Sequence, residues 1–113
     1  SFYWKHQYSA ILSYIQSNYA TVKLSDLEAL FHYSEKQIRR IVSATTGISY
    51  SDLITKLKME HALQLLKQKK IRMEQIAEET GYTTVSSFYR AFSSYYNCTP
   101  GIYRKTLEET AAG

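Results

Sequence analysis

The chain has 113 residues, 44% of them apolar, with one cysteine and a formal charge of +4. That length is enough to bury a single core but too short for two independent ones. One cysteine excludes an internal disulfide and a cysteine-built metal cage, and no apolar run approaches the length of a membrane span.

Four glycines, one proline and almost no alternating apolar pattern predict an all-α chain. The distribution of charge says more than its total. Between residues 36 and 72 stand nine lysines and arginines against two acids, Asp52 and Glu60. Such asymmetry favours a polyanionic partner. A reducing cytoplasm is the expected location, and Ser1, which is not an initiator methionine, is expected to mark a piece of a longer protein.

Residues 1–7 have no clear period, although Phe2, Tyr3 and Trp4 form an apolar clump, and a linker stub is expected there. From Tyr8, the spacing Tyr8, Ile11, Leu12, Ile15, Tyr19 predicts an amphipathic helix that ends near Asn18 and serves as a packing brace. Ser25 followed by Glu28 has capping-box spacing and predicts a helix from 26 to about 31. His32 and Tyr33 form the turn, and Ser34 with Gln37 repeats the capping relation for a third helix, 35 to about 46. That helix carries Ile38, Ile41, Val42 and Thr45 on one side and Lys36, Arg39, Arg40 and Ser43 on the other. A cationic face backed by an apolar seam is the pattern of a recognition helix, as well as of a plain solvated surface.

Gly47 ends that helix, and Ser49 caps a long one through about residue 67, with Leu53, Ile54, Leu57, Ala62, Leu65 and Leu66 apolar. A basic loop, KQKKIR over 67–72, follows, and reads equally as a solvated helix end or as a phosphate contact. Ile76 and Ala77 begin the next apolar run, Gly81 stops it, and Thr83 or Thr84 supplies the following N-cap. Beyond it Phe88, Ala91, Phe92 and Tyr95 share one helix face, and Ser86, Tyr89, Arg90 and Ser93 the opposite one. Thr99 caps the last helix, and Pro100 takes its first position, where a missing N–H costs nothing.

The pattern repeats internally. Leu24, Leu27, Tyr33 and Ser34 recur 49 residues later as Met73, Ile76, Tyr82 and Thr83. Ile38, Arg40, Val42, Gly47, Ser49 and Leu53 recur 50 residues later as Phe88, Arg90, Phe92, Asn97, Thr99 and Tyr103, so one residue is inserted just before the second recognition helix. Two copies are too few for a solenoid, which leaves a tandem pair of helix-turn-helix units.

The stretch IAEETGYTTVSSFYRAFSSYYNCTPGIYR, residues 76–104, resembles the second helix-turn-helix of the AraC/XylS family of bacterial transcription regulators. The family pattern runs I-A-x-x-x-G-[YF], then F-x-R-x-F, then G-x-[ST]-P-x-x-[YF]-R. Asn97 stands where glycine is usual and, in the first unit, Glu28 where a small residue is usual. With the repeat included, the resemblance covers residues 8–106. It implies a seven-helix all-α fold with helix-turn-helix subdomains at 8–48 and 68–106, a linker helix at 49–67 and a tail at 107–113. It further implies sequence-specific binding of double-stranded DNA, the linker helix holding the recognition helices about one DNA turn apart. By position the base readers would be Lys36, Arg39 and Arg40, then Val85, Ser86 and Arg90, within a wider set that adds Gln37, Ser43, Thr84, Ser87 and Tyr89. The implied partners are duplex DNA, RNA polymerase and an upstream effector or dimerisation domain of the full-length protein, with no membrane and no cofactor.

Nothing else in the chain competes for a site. His6, His32 and His61 have neither i, i+4 pairing nor an acidic cluster, so no metal site is read from them. No catalytic motif occurs and the carboxylates are scattered, so no enzyme is expected. Cys98 reads as packing, with a redox switch as the lesser alternative. Among eleven tyrosines, Tyr8, Tyr19, Tyr95 and Tyr103 fall on apolar faces and are expected in the core, not on a base-stacking platform. The rival from another class is a helical protein-interaction module whose basic face meets an acidic protein, and binding of long duplex DNA at low salt separates the two.

Overall fold

A computed structural model describes residues 2–112, with side chains from 5 to 111. Seven helices carry the described residues: α1 (Phe2–Asn18), α2 (Leu24–Phe31), α3 (Glu35–Thr46), α4 (Tyr50–Leu66), α5 (Met73–Glu79), α6 (Val85–Tyr96) and α7 (Pro100–Ala112). No strand occurs among the described residues, and no helix there is long and apolar enough to cross a membrane.

The residues divide into two units, 1–57 and 58–113, with the boundary inside α4. Each has its own buried cluster, which corrects the expectation of a single core. The first gathers Ile11 and Ile15 of α1, Leu27 of α2, Ile38, Ile41 and Val42 of α3, and Tyr50 and Leu53 of α4. The second gathers Met59, Ala62, Leu65 and Leu66 of α4, Ile76 and Ala77 of α5, and Phe88 and Phe92 of α6. The cause is a repeat wider than the two matched segments. Gln7, Ile11 and Ile15 on α1 stand 51 residues before Lys58, Ala62 and Leu66 on α4. Both apolar pairs are buried. Each unit is therefore a brace helix with a helix-turn-helix packed on it.

Helix ends follow local chemistry. At α3 the Ser34 hydroxyl accepts from the Gln37 N–H at 3.2 Å while the Gln37 amide oxygen accepts from the Ser34 N–H at 2.9 Å, a reciprocal capping box. Ser49 accepts from Asp52 N–H at 3.0 Å and Thr99 from Ile102 N–H at 3.2 Å, as their spacing indicates. Helix α2 differs. It starts at Leu24, and the Asp26 carboxylate takes the Lys23 N–H at 2.8 Å, leaving Ser25 inside the first turn and not at the cap. Helix α1 reaches back to Phe2, so residues 2–7 are helical and not a linker stub; the side chains of Phe2, Tyr3 and Trp4 lie outside the described residues. At the other end α7 continues through 107–112, where a tail was expected.

Four helix ends turn into the left-handed region, at His32, Gly47, Gly81 and Asn97. After α5, Tyr82 N–H reaches Ala77 O at 2.8 Å and Gly81 N–H reaches Glu78 O at 3.1 Å, the paired bonds of a Schellman turn. His32 stands 49 residues before Gly81 and is also left-handed, at φ 58°, but its N–H reaches Glu28 O at 2.9 Å, the single bond of the simpler left-handed cap; it is a second departure from small residues in the first unit beside Glu28. Thr84, not Thr83, caps α6, its hydroxyl accepting from Ser87 N–H at 3.0 Å. The true counterpart of Ser34 is thus 50 residues on, and Thr83 is the inserted residue.

The packed face of α6 also differs from expectation. Phe88 and Phe92 are fully buried and Ala91 packs beside them as expected, but Val85, Tyr89 and Tyr96 join them where Tyr95 was expected, and Tyr95 is 43% exposed. At 100° per residue this widens the packed face toward Val85, Tyr96 and Tyr89 and away from Tyr95. The reason is aromatic packing: the Tyr96 ring lies 4.8 Å from that of Phe92, and Tyr103 of α7 lies 6.0 Å from the same ring. Thr45 on α3 is likewise exposed, although its hydroxyl donates to Ile41 O at 2.7 Å.

Burial, with smaller contributions from Tyr95, Glu60 and Tyr103, pushes the Tyr96 hydroxyl up to about 12. A tyrosine held above its unfolded value contributes stability below pH about 10 that is lost as pH climbs through the folded value. Alkaline titration followed by phenolate absorbance and circular dichroism should show the second unit loosening between these two values. The same titration of Tyr96→Phe should show a weaker alkaline loss.

Candidate nucleic-acid interface

Each recognition helix presents part of its candidate set opposite its buried seam. On α3, Lys36, Gln37, Arg39, Arg40 and Ser43 are all exposed, while Ile38, Ile41 and Val42 are buried. They are not equivalent. Arg39 Nε lies 3.2 Å from Glu35 Oε1, and its guanidinium sits 6.0 Å from the Tyr50 ring centroid, so it leans along the flank toward α4. The Tyr50 hydroxyl registers this: burial raises its pKa, and Arg39 pulls the other way. Both partners of the Arg39 ion pair are largely solvated, so the pair contributes little to stability.

Helix α6 sorts the same way. Ser86 and Arg90 are exposed, Val85, Ser87 and Tyr89 half-buried. Thr84 and Ser87 are spent partly on the N-cap, with their hydroxyl oxygens 2.8 Å apart. Tyr89 packs its ring edge-on against Phe88 at 6.1 Å. It stands 50 residues after Arg39 and occupies the same flank. The outermost pairs are Lys36 with Ser86, Gln37 with Ser87 and Arg40 with Arg90. Of the residues named from sequence, Lys36, Gln37, Arg40, Ser43, Ser86 and Arg90 carry the outward face of their helices, with half-buried Ser87 at its margin, whereas Arg39, Val85 and Tyr89 stand beside it. Such groups donate and accept hydrogen bonds and carry charge, which suits reading base edges and holding phosphates.

One functional neighbour carried no role in the sequence. Arg104, the last residue of the quoted motif, is half-buried, and its guanidinium reaches three carbonyls: Leu66 O from Nε at 3.1 Å, Ile71 O from Nη1 at 2.8 Å and Gln68 O from Nη2 at 3.2 Å. It closes the open C-terminus of α4 and fixes the turn that bears the exposed Lys67, Lys69 and Lys70. Only a planar fork of donors can serve three acceptors so arranged. Arg104→Lys should therefore lower the melting temperature nearly as much as Arg104→Ala, and amide exchange of residues 68–71 should quicken in both.

Comparison with known proteins agrees with this fold. A family described as a helix-turn-helix domain matches residues 27–106. An uncharacterised HTH-type transcriptional regulator of Bacillus subtilis, YfiF, is 33% identical over 110 residues, covering 93% of this chain and 35% of the relative. The RCS-specific HTH-type transcriptional activator RclR of Escherichia coli is 34% identical over 88 residues, covering 78% of this chain and 30% of the relative. The chain thus spans about a third of the length of these relatives. Among solved structures, the C-terminal domain of AraT, a response regulator from Geobacillus stearothermophilus, superposes with a TM-score of 0.82 at 29% identity, over 88% of this chain and 84% of that one. The DNA-binding domain of AdpA, solved in complex with a target DNA, matches in fold, with a TM-score of 0.82 at 14% identity over 91% and 94% of the two chains.

Proposed function

We infer the function from one premise: this chain belongs to the AraC/XylS family of helix-turn-helix transcription regulators. It binds double-stranded DNA sequence-specifically through two tandem helix-turn-helix units, as the DNA-binding domain of such a regulator. The observation that supports this most directly is the repeated unit itself, a brace and a capped recognition helix with Arg40 and Arg90 at equivalent outward positions.

We further propose the division of labour among residues. Lys36, Gln37, Arg40 and Ser43 on α3, with Ser86, Ser87 and Arg90 on α6, meet base edges or their flanking phosphates. Arginine pairs bidentately with guanine, and serine accepts or donates to any base, so the second helix reads more loosely. Arg39 and Tyr89 support the helix flanks, Thr84 presents the α6 N-terminus to phosphate, and Val85 adds apolar contact at its edge. The turn of Lys67, Lys69 and Lys70 contributes phosphate neutralisation. In the full-length protein an upstream segment supplies effector binding or dimerisation, and contact with RNA polymerase turns occupancy into regulation.

The test is a footprint on duplexes selected from random sequence. Two separated protected segments without palindromy are expected, because α3 and α6 differ in sequence, with affinity falling steeply as salt rises. Absence of duplex binding at low salt would overturn the DNA reading and favour an acidic protein as the partner of the basic face.

A further inference from the structure

The turn of each helix-turn-helix carries a tyrosine, Tyr33 in the first unit and Tyr82 in the second, 49 residues apart. Each is held by a polar side chain from its own brace helix. The Tyr33 hydroxyl donates to Gln7 Oε1 at 2.7 Å, joining residues 26 positions apart in the chain. The Lys58 ammonium lies 4.8 Å from the Tyr82 ring centroid. Gln7 and Lys58 are themselves equivalent, since both precede the buried pairs Ile11, Ile15 and Ala62, Leu66 by the same spacing. The same place in the repeat is thus filled by different chemistry, a hydrogen bond in one unit and a cation over an aromatic face in the other.

Both tyrosines border the residues proposed to read DNA. Tyr33 and Tyr8 line a recess whose other wall is Gln37, Arg40 and Ile41. Tyr82 lines the concavity at the α6 N-terminus together with Thr83, Thr84 and Val85. Its ring also packs on Phe88 at 5.9 Å. A turn free to move would shift the first residues of the recognition helix, and displacements of about 1 Å are enough to spoil a base contact that depends on geometry.

We propose that Gln7 with Tyr33 and Lys58 with Tyr82 are two latches, positioning residues that hold each recognition helix at the angle its base contacts require, each acting on its own unit alone. This rests on the DNA-binding reading for its consequence, but the latches themselves are defined in the free domain. Their chemistry predicts opposite tolerance to the same substitution. Tyr33→Phe removes the hydroxyl on which the first latch depends, whereas Tyr82→Phe keeps the ring on which the second depends.

Amide exchange on the free domain tests the latches without DNA. Tyr33→Phe and Gln7→Ala should speed exchange at Tyr33 and Ser34 about fivefold, the equivalent of one net hydrogen bond. Lys58→Met should speed exchange at Tyr82 and Thr83 about two- to fivefold, the range of a partly solvated cation–π contact. Tyr82→Phe and Lys58→Arg should leave it unchanged. On selected duplexes, the first pair should weaken discrimination against mismatches only in the segment read by α3, and Lys58→Met only in that read by α6, with rescue by Lys58→Arg.

Wild-type exchange in Tyr33→Phe or in Lys58→Met overturns the proposal. So does a loss of discrimination spread over both segments, which marks general destabilisation. If the wild-type domain protects no segment but the exchange results hold, the DNA reading fails while the latches stand.

Discussion

Replacing Phe92 by alanine should cost about 3 to 5 kcal/mol, the largest single effect expected in this chain. Phe92 is fully buried and sits at the meeting point of three rings, 5.9 Å from Phe88, 4.8 Å from Tyr96 and 6.0 Å from Tyr103. Removing it leaves a cavity bounded by α6 and α7 whose aromatic walls cannot close without leaving their own contacts. A domain of this size holds only about 5 to 15 kcal/mol in total, so much of the second unit should unfold at ambient temperature. Urea titration followed by backbone exchange should show protection lost in α5 to α7 while the Ile11, Ile15, Leu27 cluster of the first unit keeps its own. A melting curve unchanged by this substitution would mean that α6 is not packed on this face.

Arg40→Ala should cost about 1 to 3 kcal/mol of specific DNA affinity, as loss of a bidentate base contact does, and relax specificity at one base pair. Ser86→Ala should cost much less, because a hydroxyl reads ambiguously. The contrast follows from composition at equivalent positions: α3 offers Lys36 and Arg40 outward with Arg39 at the flank, and α6 offers Arg90 alone. The first unit should therefore supply most of the affinity. Affinities measured at fixed salt for both variants decide the matter, and equal losses would refute this ranking.

Much of the fold was legible because short-range chemistry sets it. The Ser34 and Gln37 reciprocal cap, the Ser49 and Thr99 caps and the stop at Gly47 each involve residues within four positions, and each lies where the sequence indicated. What was illegible depends on partners far along the chain. Periodicity alone placed Tyr95 inside, but half-buried Tyr96 packs on Phe92 in its place, with the ring of Tyr103 of α7 against the same phenylalanine. The brace repeat stayed hidden because Ile11 and Ala62 are alike only in being apolar and buried, and differ in size and shape. Among the candidate DNA contacts, the outward set was readable from the α3 pattern, while the leaning of Arg39 onto Tyr50 and the three carbonyls held by Arg104 needed atoms in space.

His32 and Asn97 end their helices at φ 58° and 60°, where Gly47 and Gly81 do the same without a side chain to object. A β-carbon in that region is a small standing tax on the folded state, lightest for asparagine. The chain is therefore off its stability optimum at one helix end in each unit, with glycine as the remedy at either. In evolutionary terms that is headroom. A lineage could substitute glycine at either end and spend the gain on a costly new residue along α3 or α6, so that operator preference could drift while the scaffold stays above the threshold for folding.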